Sequence, residues 1–183
     1  MAKQARILIL AVIGCLVASV SIFLSVDYAK NSDFRKAAEW HKIHGNVILV
    51  EGHKLNVPEG WWEENEIGNG KYAITKASRS LSKIYSSGII FDRKGPNESK
   101  AGEAQIRKTL ESFVESEKKG TPGPVSSLIV VRAKSTNIYC LQSSVLDRSV
   151  VLRCNVVGTP IVISSVGPPS TEKEIESILS TFE

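Results

Sequence analysis

Residues 137–157 read NIYCLQSSVLDRSVVLRCNVV, two runs rich in β-branched residues on either side of a tip at 146–148. A hairpin centred on Asp147 places Cys140 directly opposite Cys154. Because side chains alternate between the two faces of a strand, one register accounts for the whole pattern. The other pairs on the cysteine face are Ile138 with Val156, Gln142 with Leu152 and Ser144 with Val150.

The opposed cysteines predict a disulfide between Cys140 and Cys154. Closing a loop of 15 residues stabilises a fold by about 3 kcal/mol in the chain-entropy model. Disulfides of this kind persist in oxidising compartments, so the pair indicates an exported protein. The alternative is two buried free cysteines. A redox-active pair is disfavoured because C-x-x-C spacing is absent.

The sequence on either side of the hairpin alternates between further strands and helices. A first hairpin is predicted at 47–50 and 54–57, with strands at 71–77 and 87–92. A helix over 101–119 precedes four strands, at 126–134, 137–144, 149–157 and 160–166. Thr171 and Glu174 form a predicted capping box at the start of a last helix. Because tight turns link most strands, the order predicts an α+β fold, a mainly antiparallel sheet flanked by helices.

A hydrophobic segment opens the chain. Residues 7–26 read ILILAVIGCLVASVSIFLSV, twenty positions without a charge. A helix of that length covers roughly 30 Å, the thickness of a bilayer's hydrocarbon core. We therefore expect a single transmembrane helix, with the N-terminus in the cytoplasm and the remainder outside it. On this interpretation residues 1–26 are a signal-anchor, 27–44 a juxtamembrane helix and 45–183 an extracytoplasmic α+β domain.

Two other fates of this segment remain open. Ser19-Val20-Ser21 is the nearest approach to a signal-peptidase site. Val12-Ile13-Gly14-Cys15 fits a bacterial lipoprotein box, although Leu16, Val17 and Ala18 follow where a polar tether is usual. All three fates place the domain outside the cytoplasm. A type IV pilin is disfavoured, because the hydrophobic run contains no glutamate.

Charge gives little support for nucleic-acid binding. The net charge is +4, but Lys3 and Arg6 precede the hydrophobic run. Without them the 23 basic residues become 21, against 19 acidic ones. Nucleic-acid binding needs a concentrated basic surface, so the expected partners are the membrane and an envelope protein.

Two groups of residues are candidates for function. Trp61 and Trp62 cannot face the same way in an extended segment, so one is expected in the core and the other as an exposed contact residue. The histidines His41, His44 and His53, with Glu63, Glu64 and Glu66, define the alternative of a metal-dependent or hydrolytic enzyme. No G-x-S-x-G, H-E-x-x-H or P-loop motif is present. We therefore assign no catalytic residue, metal or cofactor, and favour a non-catalytic accessory or binding module.

The order of elements also resembles a known family. An early hairpin leads into VPEGWW at 57–62, and the chain closes with ISSVG at 163–167 and EKEIESILSTF at 172–182. These features, over about residues 45–183, resemble the PsbP-like α/β sandwich family of extracytoplasmic lipoproteins and photosystem-associated subunits. The resemblance implies a sheet flanked by helices and a non-catalytic accessory role. No functional residue is transferred from it.

Overall fold

The computed structural model describes residues 2–64, 71–78, 87–94, 101–120, 125–145 and 149–183, with the backbone alone at 2–14, 30, 120 and 145. The helices of this part are α1 (Ala2–Lys30), α2 (Ser32–His44), α3 (Glu103–Gly120) and α4 (Glu172–Ser180), with a 3-10 turn at Pro169–Thr171. The strands are β1 (Val47–Val50), β2 (His53–Asn56), β3 (Trp61–Glu63), β4 (Tyr72–Lys76), β5 (Gly88–Arg93), β6 (Ser127–Arg132), β7 (Asn137–Val145), β8 (Ser149–Val156) and β9 (Ile161–Gly167).

Seven of these strands form one antiparallel sheet in the order β3-β4-β5-β9-β8-β7-β6, and β1 pairs with β2 separately. The predicted α+β class with a mainly antiparallel sheet is confirmed. Residue Glu51, with φ 50°, and Gly52, with φ 84°, make the two-residue turn between β1 and β2. Positive φ at both turn positions matches the twist of the flanking strands.

The β7–β8 pair has the predicted register. Cys140 lies opposite Cys154 and is bonded to it, with 4.0 Å between their Cα atoms. Ile138 pairs with Val156, Gln142 with Leu152 and Ser144 with Val150, as expected. The predicted tip at 146–148 lies outside the described residues. The predicted disulfide is therefore confirmed, and it links β8 to β7, the strand beside the edge strand β6.

One side of the sheet, the core face, carries the main hydrophobic core. This core contains the disulfide and the strand residues on the same side of the sheet as the disulfide. The inner sides of the β1–β2 hairpin and of α4 pack against them and complete the core. Its largest fully buried side chains include Trp61, Phe91, Phe182, Ile163 and Leu179. Burying an aliphatic or aromatic side chain of this size contributes about 1.5–3 kcal/mol.

The C-terminal residues after α4 bind the β1–β2 hairpin. Glu183 exchanges two backbone hydrogen bonds with Lys54, of 2.8 and 2.9 Å. Beside them the His53 imidazole stacks on Phe182 with 4.8 Å between ring centroids. The last residues thus extend the edge of β2.

The predicted capping box of α4 is wrong. The Thr171 hydroxyl donates to the Pro168 carbonyl at 2.8 Å and makes no cap bond. Glu174 is bound elsewhere, since its Oε1 accepts from the Trp61 indole at 2.8 Å and its Oε2 binds the Lys76 ammonium. The carboxylate that resembled a cap therefore satisfies the indole N–H of a fully buried tryptophan.

The opposite side of the sheet, the open face, is covered by α3 at the β6–β7 end. Ile106 and Leu110 pack on Tyr139 and Leu141. The Tyr139 hydroxyl donates to the Glu103 carboxylate at the start of α3, and this hydrogen bond raises the pKa of Tyr139. The remainder of the open face carries the site described below.

The N-terminal helices differ from expectation at their junction. The predicted hydrophobic segment falls within α1, in which every side chain from Cys15 to Ala29 is exposed. The single helix expected over 27–44 is divided at Asn31, and Ala37 and Trp40 of α2 belong to the main core. Within the described residues, no helix combines the length and apolar character that crossing a membrane requires.

Reduction of the disulfide should destabilise the full-length chain. Dithiothreitol is expected to lower the free energy of unfolding in urea by about 3 kcal/mol, because the reduced unfolded chain regains the entropy of the closed loop. The measurement should use Cys15→Ser protein, in which no third thiol can exchange. Equal stability with and without reductant would contradict the expectation.

Candidate ligand-binding groove on the open face

A groove of about 420 Å³ lies on the open face where α3 does not reach. Cross-strand pairing sets its floor in two rows. The first row runs Trp62, Thr75, Gly88, Val166, Val151, and the second runs Ala73, Ile90, Ser164, Arg153. Because opposed residues of an antiparallel sheet share a face, all nine point the same way, and all nine line the groove.

Gly88 deepens the centre of the floor. It lies between Thr75 and Val166 in the first row and contributes no side chain. A Cβ at this position would make only ordinary contact, 3.6 Å from the Ile74 carbonyl oxygen. The site therefore has room for a larger residue, and glycine leaves that space empty.

The floor is apolar and accessible. Ile90 is 37% exposed and Val166 45% exposed, although both lie in the middle of a seven-stranded sheet. Trp62 is 9% exposed and lies at the β3 end. Accessible apolar side chains in the middle of a sheet face, with polar groups around them, are typical of a binding site.

The two tryptophans face opposite sides of the sheet, as the extended segment requires. Trp61 is fully buried in the core, while Trp62 pairs with Thr75 on the open face. The expectation that one of them would be exposed is wrong, because Trp62 retains only 9% exposure, although it lines the groove.

The wall at the β3 end is formed by α2, which contributes Asp33 and Lys36. His41 joins this helix to the sheet. Its Nε2 lies 2.9 Å from the Trp61 carbonyl oxygen and 3.1 Å from that of Pro58, and its Nδ1 lies 2.9 Å from the Gly45 carbonyl oxygen. The imidazole thus positions α2 beside the groove without lining it.

The other histidines are placed elsewhere. His44 stacks on Trp40, with ring centroids 5.2 Å apart, and His53 stacks on Phe182. In the described ranges, no three His, Cys, Asp or Glu side chains gather as metal ligands would. The structure therefore does not bring the three histidines together.

The acidic residues after Trp62 are also separated. Glu63 pairs with Ile74 and faces the core side, whereas Glu64 lines the groove and accepts a 2.9 Å hydrogen bond from the Thr75 hydroxyl. Glu66 lies outside the described residues. No described contact joins a histidine to Glu63 or Glu64, so the acid–base arrangement of the enzyme alternative is not assembled here.

The charges around the groove are unequal at its two ends. Asp33, Lys36 and Glu64 lie at the β3 end, and Arg153 lies at the β8 end. The Arg153 side chain is exposed, and it makes no hydrogen bond or ion pair within the described part of the chain. Beyond the groove on the same face, a 2.7 Å contact with the Lys71 ammonium lowers the pKa of the Asp92 carboxyl.

Sequence reasoning missed Arg153, Gly88, Ile90 and Val166. The hairpin pattern does turn Arg153 away from the cysteines, but it does not say what lies beside it. Only the pairing of β9 with β5 and β8 brings these residues to one site.

No protein-family model matches this sequence, and no curated protein matches it.

Replacing His41 with alanine should destabilise the fold by about 1 kcal/mol, because the carbonyl oxygens of Trp61, Pro58 and Gly45 lose a half-buried hydrogen-bond partner. Urea unfolding of the full-length chain measures the loss. Lys42→Ala, an exposed neighbour on α2, is the matched control and should change stability little. Equal stabilities of the two variants would show that His41 does not hold the helix.

Proposed function

We propose that this protein is a membrane-anchored, non-catalytic binding module whose domain lies outside the cytoplasm and whose ligand site is the groove on the open face. The observation that carries the proposal is the pair of cross-strand rows, which leave apolar side chains accessible at the centre of a folded sheet. A monomeric domain would ordinarily cover such a surface, so its exposure favours a binding role.

Features of α1 support the anchor. Leu16, Val17 and Leu24 are each 61% exposed, and Phe23 is 72% exposed, which is unfavourable in water. The hydroxyls of Ser19, Ser21 and Ser25 each donate at 2.8 Å to the carbonyl one turn back. Polar groups in a hydrocarbon environment need such internal partners. The uncharged run of residues 7–26 has the length of a bilayer's hydrocarbon core.

The disulfide supports a location outside the cytoplasm. Cys140 and Cys154 are buried, at 0% and 2% exposure, and their bond links β7 to β8. Disulfides of this structural kind persist in oxidising compartments. The resemblance to the PsbP-like family, with its extracytoplasmic lipoproteins and accessory subunits, is consistent with the same location and role.

The groove chemistry favours binding over catalysis. Its described lining offers hydroxyls, two carboxylates, two cations and apolar side chains, and includes no histidine or cysteine. Pockets that are mainly apolar with a few polar groups at the edges bind and orient ligands. We therefore place the function in recognition of a ligand or partner.

The anchor is tested by fractionation of cells that produce the full-length chain. Native protein should stay in the membrane pellet after an alkaline carbonate wash, and a maleimide should not label Cys140 or Cys154 until reductant is added. Cys15→Ser should behave in the same way if the helix itself anchors the chain. Release of the Cys15→Ser protein from the membrane, but not of the native protein, would instead identify a lipid on Cys15. Native protein found in the carbonate wash, with Cys140 and Cys154 reactive before reduction, would contradict the proposal.

The groove is tested with a photoreactive decanol that carries a diazirine on its chain, added to membranes that contain the full-length protein. Labelled peptides should include those of β4, β5 and β9, whereas label on α1 reports probe dissolved in lipid. Gly88→Leu fills the floor and should reduce groove labelling about tenfold relative to α1, since it displaces the bound chain. Val130→Leu, on the same face of β6 but outside the groove, is the control. Equal labelling in both variants would exclude the groove as the site.

A further inference from the structure

We propose that the ligand of the groove is a single-chain amphiphile with a terminal carboxylate, a fatty acid, whose carboxylate binds Arg153 and whose chain lies along the floor toward Trp62. This inference rests on the proposed function and adds the chemical class and the orientation of the ligand.

Arg153 supplies the recognition of an anion. Its guanidinium is exposed at the β8 end of the groove and has no side-chain partner among the described residues. Ser164 lies directly opposite it on β9, is also exposed, and adds a hydroxyl donor. A guanidinium binds a carboxylate through two parallel N–H bonds, so this end suits a planar carboxylate.

The opposite end disfavours an anion. Glu64 and Asp33 lie there with Lys36, so the acidic groups outnumber the basic one. A carboxylate placed at this end would face two like charges, whereas Arg153 at the β8 end faces none from the groove lining. The charges thus set one direction for a ligand that has a single negative end.

The length of the floor suits an extended acyl chain. The groove crosses β8, β9, β5, β4 and β3. Neighbouring strands lie about 4.8 Å apart, so the four spacings span roughly 19 Å. Val151, Val166 and Ile90 lie along this path, and Trp62 closes it with an aromatic ring. An extended ten-carbon chain is shorter than this span and contacts these apolar side chains along its length.

The volume of the groove favours a ligand with one chain. The groove holds about 420 Å³, near the lower end of the sizes that bind small molecules. A phospholipid with two acyl chains and a headgroup is larger than this space. The groove therefore encloses a free fatty acid more completely than an intact membrane lipid, and we assign the fatty acid as the ligand.

The test compares two photoreactive probes of equal chain length, a diazirine decanoate and the diazirine decanol, on the full-length chain in membranes. Decanoate should label the groove more strongly than decanol at equal labelling of α1. Arg153→Gln should lower decanoate labelling about tenfold, because charge-assisted hydrogen bonds are lost, and should leave decanol labelling unchanged. Arg132→Gln, an exposed arginine of β6 outside the groove, is the matched control and should change neither.

The outcomes separate this inference from the proposed function. Equal labelling by decanoate and decanol, or an equal loss of both in Arg153→Gln, would overturn the carboxylate assignment while the groove remained a ligand site. A competition experiment tests the fatty acid itself. If vesicles of anionic diacyl phospholipid reduce groove labelling but decanoic acid does not, the ligand is not a fatty acid. If neither probe labels the groove in native protein, the proposed function itself fails.

Discussion

The disulfide between Cys140 and Cys154 holds β7 and β8 in one register, and the remaining structure depends on that register. A shift of one residue would exchange the two faces of β8 and move every side chain of the strand to the opposite side. In the observed register, Leu152 and Cys154 enter the core while Arg153 faces outward. The pairing of β8 with β9 then transmits the same alternation across the sheet. The core and the groove are therefore two consequences of one strand pairing.

The two faces are covered to very different extents. On the core face, α4, the β1–β2 hairpin and the C-terminal residues close over a continuous hydrophobic core, and Phe182 is fully buried beneath them. On the open face, α3 packs mainly on β6 and β7 in the described part of the chain, and Ile90 and Val166 remain accessible. Covering these side chains would have added apolar burial and stability. A sheet that leaves them open gives up that stabilisation at the surface where we propose that a ligand binds.

Local patterns in the sequence were sufficient to predict the β7–β8 hairpin and most of the secondary structure. The alternation around Cys140 and Cys154 needs no information from elsewhere in the chain, and the register it predicts is the observed one. The predictions were wrong where contacts with residues distant in the sequence determine the structure. Glu174 resembled a helix cap, but its carboxylate binds Trp61 and Lys76, more than ninety residues earlier in the chain. The groove could not be predicted either, because β5 meets β9 only in the folded sheet, with Phe91 opposite Ile163.

The proposed anchor and the proposed ligand have a physical connection through α2. Asp33, at the rim of the groove, follows Val26, the end of the hydrophobic segment, by seven residues. At about 1.5 Å per helical residue, the rim lies within roughly 10 Å of chain from the C-terminal end of that segment. His41 and Trp40 hold α2 against the folded domain, so the groove cannot move far from the tether. A fatty acid is most concentrated in the bilayer, because its chain avoids water there. In the proposed arrangement, the short tether keeps the groove where such a ligand is abundant. Arg153, which has no side-chain partner among the described residues, would then distinguish an acid from an uncharged chain of the same length.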